Sequence, residues 1–434
     1  MKKPHKIRRW LGSGATIRRA LYFFVPGLAF IILGLAFSFR LLILPSLEQL
    51  DAFGTRIIRS LVPPNYVPDV KHYTAGALLI LGGYLCYRAV TYFVREILRY
   101  MNPGSDSKIF GTYFRKRLLA SGPNLVALGG GTGLSTILRG IKTRTSNITA
   151  IVTVTDDGGS SGRLITDKGI LPPGDIRNCL VALADAEKSM TDIFQHRFEA
   201  GSGTLSGHSL GNLLIAAMVD ITGDFEKAVG EISKVLAIRG RVLPATRDRV
   251  RLRALMENGM EICGETKIVH SGLRIRRIFL DPEDVQPLEE ALDAITEADM
   301  IVIGPGSIYT SVIPPLLVPG IAETIAESDA IKVYICNVMT QPGESDGFTA
   351  SDHVHAIEAN IGRRVFDYVL VNKTPPSSNL LSRYSEAGQD FVEPDIDRIR
   401  AMGLRVIKGN YISESDVVRH DPLRITDSLM RLVE

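Results

Sequence analysis

Two glycine-rich stretches and one pair of adjacent carboxylates are the parts of this sequence best suited to chemistry. Gly129-Gly130-Gly131-Thr132-Gly133 follows the apolar run Asn124–Leu128 and precedes a helical pattern starting at Leu134. Gly130, Gly131 and Gly133 let the backbone turn tightly and approach a ligand, with the Thr132 hydroxyl beside them. The helix that follows offers free N–H groups and a positive dipole end to a phosphate. No Gly-Lys-Ser/Thr follows, so this is not a Walker A loop. Counted from Gly129, the third glycine of a dinucleotide fingerprint would fall on Leu134, which counts against a nicotinamide-dependent oxidoreductase. A purely structural glycine turn is the alternative.

The next apolar run ends in Thr155-Asp156-Asp157-Gly158-Gly159-Ser160-Ser161-Gly162-Arg163. Neighbouring side chains on a strand alternate in direction, so one aspartate can face a crevice while the other supports the loop. Asp156 and Asp157 are candidates for holding ribose hydroxyls or a magnesium ion beside phosphates. Ser160, Ser161 and the glycine amides are candidate anion donors, and Arg163 a candidate phosphate partner. An ordinary Asp-Gly turn with capping serines is the alternative. In Pro172-Pro173-Gly174-Asp175-Ile176-Arg177-Asn178, Asp175 reads either as a helix N-cap or, with Arg177 and Asn178, as substrate-facing. Gly207-His208-Ser209-Leu210-Gly211-Asn212 opens another helix and adds His208 as a candidate base and Asn212 as a ligand contact. Asp156, Asp157, Asp175 and His208 are thus the catalytic candidates, with no clear nucleophile–base pair.

A second glycine and hydroxyl loop follows Met300–Ile303: Gly304-Pro305-Gly306-Ser307-Ile308-Tyr309-Thr310-Ser311. Gly304, Gly306, Ser307, Tyr309, Thr310 and Ser311 are its ligand candidates. Asn337 after Ile331–Cys336, and Asn372 and Lys373 after Asp367–Val371, fit base, ribose or sugar recognition. Thr374–Phe391 reads as a mobile lid.

These loops must be positioned by strands that carry them at one edge. The expected strands are Asn124–Leu128, Ile148–Thr155, Met300–Ile303, Ile331–Cys336, Asp367–Val371 and Leu404–Ile407. Expected helices are Leu134–Lys142, Gly211–Val219, Asp224–Ile238, Pro287–Glu297, Ala350–Ile361 and Ile425–Leu432. Apolar strands without strict alternation, separated by helices, predict a doubly wound, mostly parallel, Rossmann-like α/β sheet over residues 122–434. Its ligands bind outside the carboxyl ends of the strands.

The chain has 434 residues, 45% hydrophobic and 22% charged, which excludes a disordered protein. Cys86, Cys179, Cys263 and Cys336 are scattered with no CxxC pair, so neither a zinc knuckle nor a disulfide scaffold is indicated. Residues 1–117 hold 18 basic and 5 acidic residues, and the remainder 32 and 42. An acidic main body argues against nucleic acid as a partner. The basic region flanks two apolar runs, residues 20–44 and 74–94, the first uncharged from Ala20 to Phe39 and the second broken by Arg88. Each has the length of a membrane span. The loop between them, residues 45–73, balances three acids against three bases. The expectation is a two-helix transmembrane hairpin in residues 1–101, a linker over 102–121, and a cell-membrane protein with both termini and its main domain cytoplasmic. A cleaved signal peptide is the alternative for the first run. A second copy of the chain is a candidate partner.

The ordered set of motifs, Gly129 to Gly133, Asp156 to Arg163, Pro173 to Arg177, Gly207 to Asn212 and Gly304 to Ser311, closely resembles the gluconeogenesis factor family. That family is similar to the 2-phospho-L-lactate transferases of deazaflavin cofactor biosynthesis. The resemblance spans about residues 122–434. It implies a Rossmann-like body that binds a nucleotide-linked ligand, with both glycine loops and the Asp156–Asp157 pair as nucleotide-site candidates. For the gluconeogenesis factors the implied ligand is a UDP-sugar such as UDP-N-acetylglucosamine. The implied role is support of cell shape and wall synthesis during growth on gluconeogenic carbon. For the transferases, the implied reaction moves phospholactate from a guanosine diphosphate carrier onto a deazaflavin, with magnesium. The membrane hairpin departs from the soluble pattern of the family.

Overall fold

A computed structural model describes residues 48–49 and 52–68, a set of positions between 70 and 91, and residues 117–433 apart from 186, 187, 200, 202, 415 and 416. The chain divides into two units, Met1–Ile109 and Phe110–Glu434, a division that falls inside the stretch read as a linker. The apolar run 20–44 lies outside the described residues. Within 74–94 the described residues are helical. Among the described residues, no single helix is long and apolar enough to cross a membrane. The first unit also contains a helix over residues 52–61. It ends before Pro63 and Pro64, where proline cannot supply the N–H that a continuing helix needs.

The second unit is built on seven strands: β1 (Leu125–Gly129), β2 (Ile148–Val152), β3 (Arg241–Pro244), β7 (Met300–Ile303), β8 (Ile331–Ile335), β9 (Tyr368–Asn372) and β10 (Arg405–Gly409). Their order across the sheet is β10-β9-β8-β7-β1-β2-β3, and every pairing is parallel. The central strands are apolar on both faces because both faces are covered. Their side chains sort by parity. Leu125, Ala127, Met300 and Val302 enter one core, whereas Val126, Leu128, Ile301 and Ile303 enter the other. Each fully buried aliphatic side chain contributes about 1.5–3 kcal/mol, so this double burial secures the register of β1 against β7.

Helices follow the strands. The ones that matter below are α1 (Gly131–Ile141), α2 (Gly159–Lys168), α3 (Pro173–Leu183), α4 (Leu210–Thr222), α5 (Glu265–His270), α6 (Ser378–Glu386) and α7 (Pro422–Val433). The remaining strands form two smaller sheets. β4 (Arg251–Met256), β5 (Glu261–Cys263) and β6 (Ile275–Asp281) form an antiparallel sheet, and β11 (Ile412–Glu414) pairs with β12 (Val418–His420). The antiparallel sheet was not expected. Its signals are the Asn258-Gly259 turn, with Gly259 at φ +85°, and the alternation that buries Leu252, Ala254 and Met256 along β4. The stretch Thr374–Phe391, read as a mobile lid, contains α6. The apolar side of that helix is anchored by the buried Leu380.

Candidate functional site

From β1 the chain runs to β2 and β3 on one side, and from β7 to β8, β9 and β10 on the other. The winding therefore reverses between β1 and β7, and the crevice of a doubly wound sheet opens outside that pair. Both glycine loops leave the sheet there. Gly304 donates its N–H to the Leu128 carbonyl at 2.9 Å, joining the two loop bases. A Cβ on Gly133 would lie 2.4 Å from the Pro305 oxygen, so only glycine permits this approach. Gly131 adopts φ +64°, the left-handed conformation that starts α1 at so sharp an angle. Asn337 holds the second loop from both sides: its Oδ1 accepts from Gly306 N–H at 3.1 Å, and its Nδ2 donates to Gly306 O at 2.7 Å. After Ser307 the chain makes one π-helical turn, Ile308–Val312, rather than opening directly into an α-helix.

A cleft of about 430 Å³ lies over these loops. Of the expected ligand residues it brings together Gly131, Thr132, Gly133, Asn178, Gly306, Ser307, Ser311 and Asn337. Gly130 sits behind the wall, where a Cβ would strike Asp175 Oδ2 at 2.5 Å and the Thr153 methyl at 2.6 Å. Gly304 stands behind the other loop, beside Gly129. The remaining expected residues fall in three groups away from the cleft wall.

The first group is acidic. Asp156, Asp175 and Glu265 gather between β2, α3 and α5, with Glu344 and Asp157 near them. Burial, then the charges of Asp156 and Asp175, push Glu265 from 4.5 up to about 9. Burial raises Asp175 from 3.8 to about 6, opposed by a hydrogen bond from the Gly131 N–H and reinforced by Asp156. Asp175 is not the N-cap of α3; Pro172 is, and Asp175 lies within the first turn. Asp157 instead caps α5: its Oδ1 accepts from the Thr266 N–H at 2.9 Å and hydroxyl at 2.7 Å. Asp156 Oδ1 accepts from the Gly158 N–H at 2.9 Å. Among the described residues, no group of three or more His, Cys, Asp or Glu side chains is arranged to hold a metal ion. Each aspartate thus commits its Oδ1, Asp157 to a helix end and Asp156 to its own loop.

The second group joins α2 to α4. Ser160 Oγ lies 2.9 Å from His208 Nδ1 and accepts from Asn212 Nδ2 at 3.1 Å. All three are buried, and burial followed by the Arg163 charge lowers the His208 pKa. Arg177 donates to the Ser209 hydroxyl and, at 2.8 Å, to Asn178 Oδ1. Ser209 caps α4. Ser161 packs against Gly174. The third group is architectural. Tyr309 and Thr310 are buried, their N–H and hydroxyl donating to Glu344 at 3.1 and 3.0 Å. Asn372 accepts from the Tyr411 N–H at 2.9 Å, and Lys373 pairs its backbone with Gly409.

Of the cleft residues that escaped the sequence reading, three matter most for its charge and walls. Arg139 follows Thr132 and Thr136 at i+7 and i+3, the spacing that puts all three on one face of α1. Tyr384 comes from α6, and Arg419 from β12. The Val418 N–H donates to the Tyr384 hydroxyl at 2.9 Å, tying these two walls together. Neither Arg139 nor Arg419 has an ion-pair partner among the described residues. The cleft thus offers side chains of Thr132, Thr136, Asn178 and Ser307 and two cations without an ion-pair partner among the described residues, which is the chemistry of an anion with a polar body. Replacing Asn337 by Ala removes both hydrogen bonds to Gly306 and should destabilise the body by about 1–3 kcal/mol. Thermal unfolding would check this; an unchanged midpoint would remove Asn337 from the support of the loop.

A doubly wound parallel sheet with paired glycine loops at its switch point defines a Rossmann-like α/β protein with one polar, anion-suited cleft. Residues 125–412 match the family model described as 2-phospho-L-lactate transferase CofD. The gluconeogenesis factor of Bacillus subtilis is 51% identical over 313 residues, 72% of this chain and 98% of its own. A protein of Nostoc sp. (strain PCC 7120) is 48% identical over 428 residues, 98% of this chain and 92% of its own. The crystal structure of a UPF0052 family member from Bacillus halodurans superposes with TM-score 0.69 at 51% identity, covering 71% of this chain and 99% of that one. The chain belongs to the gluconeogenesis factor family, whose body is CofD-like.

Proposed function

We propose that the body is the receptor for a nucleotide-diphosphate sugar of the UDP-N-acetylglucosamine type, and that it supports cell shape and cell-wall synthesis without needing turnover. The observation that carries this reading is the contact of two glycine loops across the β1–β7 switch point, with Gly133 against Pro305. Both loops line a cleft large enough for a diphosphate and its substituents, through Gly131, Thr132 and Gly133 on one side and Gly306 and Ser307 on the other. Arg139 and Arg419 supply charge at its walls, and Thr132, Ser307, Asn178 and Gln389 supply polar partners for ribose and sugar. The basic flanks and the two apolar runs of the N-terminal unit support a membrane tether that holds the body on the cytoplasmic face.

Calorimetry on the segment Phe110–Glu434, which corresponds to nearly the whole of the Bacillus subtilis relative, tests the reading. UDP-N-acetylglucosamine is expected to bind, and GDP and NAD to bind more weakly. Equal affinity for all three, or none for the first, would overturn it. Arg419→Ala is expected to weaken binding about 10- to 100-fold, the worth of one charged hydrogen bond. The loss should shrink at high salt.

A transferase reading has one specific support, the buried carboxylates Asp156, Asp175 and Glu265 beside the glycine loop. Production of a phospholactate ester from a guanosine-diphosphate carrier would favour it.

A further inference from the structure

The helix over residues 52–61 presents two unlike faces. Phe53, Ile57 and Leu61 recur at four-residue spacing on one face and are 63%, 46% and 76% exposed. Ile58 extends that face. Thr55, Arg59 and Arg56 occupy the other side, and Ser60, at i+7 from Phe53, borders the apolar face. Large apolar side chains exposed in a row are unfavourable in water, and they lack a cover among the described residues. Arg56 and Arg59 are exposed and make no ion pair among the described residues.

The chain around this helix restricts what can cover it. Seven residues separate it from the apolar run 20–44. A connection of that length reaches at most about 25 Å. On the other side Pro63, Pro64 and Pro68 stiffen the path to the run 74–94. In the tethered arrangement proposed above, on which this inference rests, the helix belongs to the loop between the two spans, at the outer bilayer surface. We infer that residues 52–61 form an interfacial helix lying flat in the outer phospholipid surface, with Phe53, Ile57 and Leu61 among the acyl chains and Arg56 and Arg59 on headgroup phosphates. Ten residues give about 15 Å of helix, too short to span but long enough to lie along the interface. Its amphipathic pattern and paired cations suit that placement.

The test uses the full chain in vesicles of phosphatidylethanolamine and phosphatidylglycerol, with Cys86, Cys179, Cys263 and Cys336 replaced by serine. Single nitroxide labels are placed at each position from 52 to 61, and collision with oxygen is compared with collision with a water-soluble nickel chelate. Oxygen is expected to exceed the chelate several-fold at 53, 57 and 61, with the reverse at 55, 56 and 59. Chelate access at every position would overturn the inference. So would labels at 53, 57 and 61 that are immobilised and shielded from both reagents, which would mean a protein partner. Labels at Ile32 and Leu81 separate the two ideas. If they meet oxygen while 53, 57 and 61 meet the chelate, the tether stands and the interfacial helix falls. If Ile32 and Leu81 meet the chelate, the tether itself falls. A thermal melt of each labelled chain confirms that the body remains folded.

Discussion

Gly133→Ala is expected to lower affinity for UDP-N-acetylglucosamine by at least about 100-fold and to destabilise the body by about 2–4 kcal/mol. The added Cβ would sit 2.4 Å from the Pro305 oxygen, far inside van der Waals contact. Pro305 cannot yield easily, because Gly306 beside it is clamped from both sides by Asn337. The two loops must therefore separate by most of an ångström, and the groups that line the cleft from the two sides lose their common focus. Gly131→Ala makes a useful comparison. Its Cβ would meet only the Ser311 hydroxyl, at 3.6 Å, so strain there comes from φ +64° alone. That variant should bind more tightly than Gly133→Ala, and calorimetry of both variants checks the order. Wild-type binding by Gly133→Ala would mean that the loops do not grip the ligand.

The second large effect is on stability against pH. Glu265 titrates near 4.5 when unfolded and at about 9 when folded, because it is buried beside Asp156 and Asp175. The folded state thus holds a proton that the unfolded state releases above about 4.5. Stability is undiminished below that pH and falls as pH rises through the folded value of about 9, with a slope approaching ~1.4 kcal/mol per pH unit. Asp175 adds to the decline between 3.8 and about 6. Glu265→Gln keeps the shape and removes the ionisation. It should leave stability near pH 4 unchanged and raise it by at least about 1 kcal/mol at pH 8. Denaturant titrations from pH 4 to 9 would read this directly. Parallel curves for the two proteins would place the charge elsewhere.

The parallel sheet was legible because its strands are uniformly apolar and short, and every expected strand forms within a few residues of its expected range. The edge strand β3 was not, since Arg241–Pro244 has only four residues and ends in proline. Both glycine loops were legible as tight strand-end turns because positive φ and close approach leave a compositional mark. Their neighbours were harder. Asp157, Ser160 and Asn212 have the same chemistry as ligand-binding residues, and only three-dimensional placement shows them holding α5, α2 and α4 in place. Tyr384 and Arg419 join the cleft from far along the chain, and nothing local marks them.

The central pairing of β1 with β7 joins Leu125 to Met300, and the flanking Asn124–Asp299 bond closes a loop of 175 residues. High contact order of this kind slows folding. During synthesis, the β1 half of the cleft leaves the ribosome well before the β7 half exists. A nascent chain therefore exposes an unpartnered strand edge until Ile303 has emerged. The body should depend on chaperone shielding over that interval, and truncations ending before β7 should aggregate rather than yield a smaller binding module.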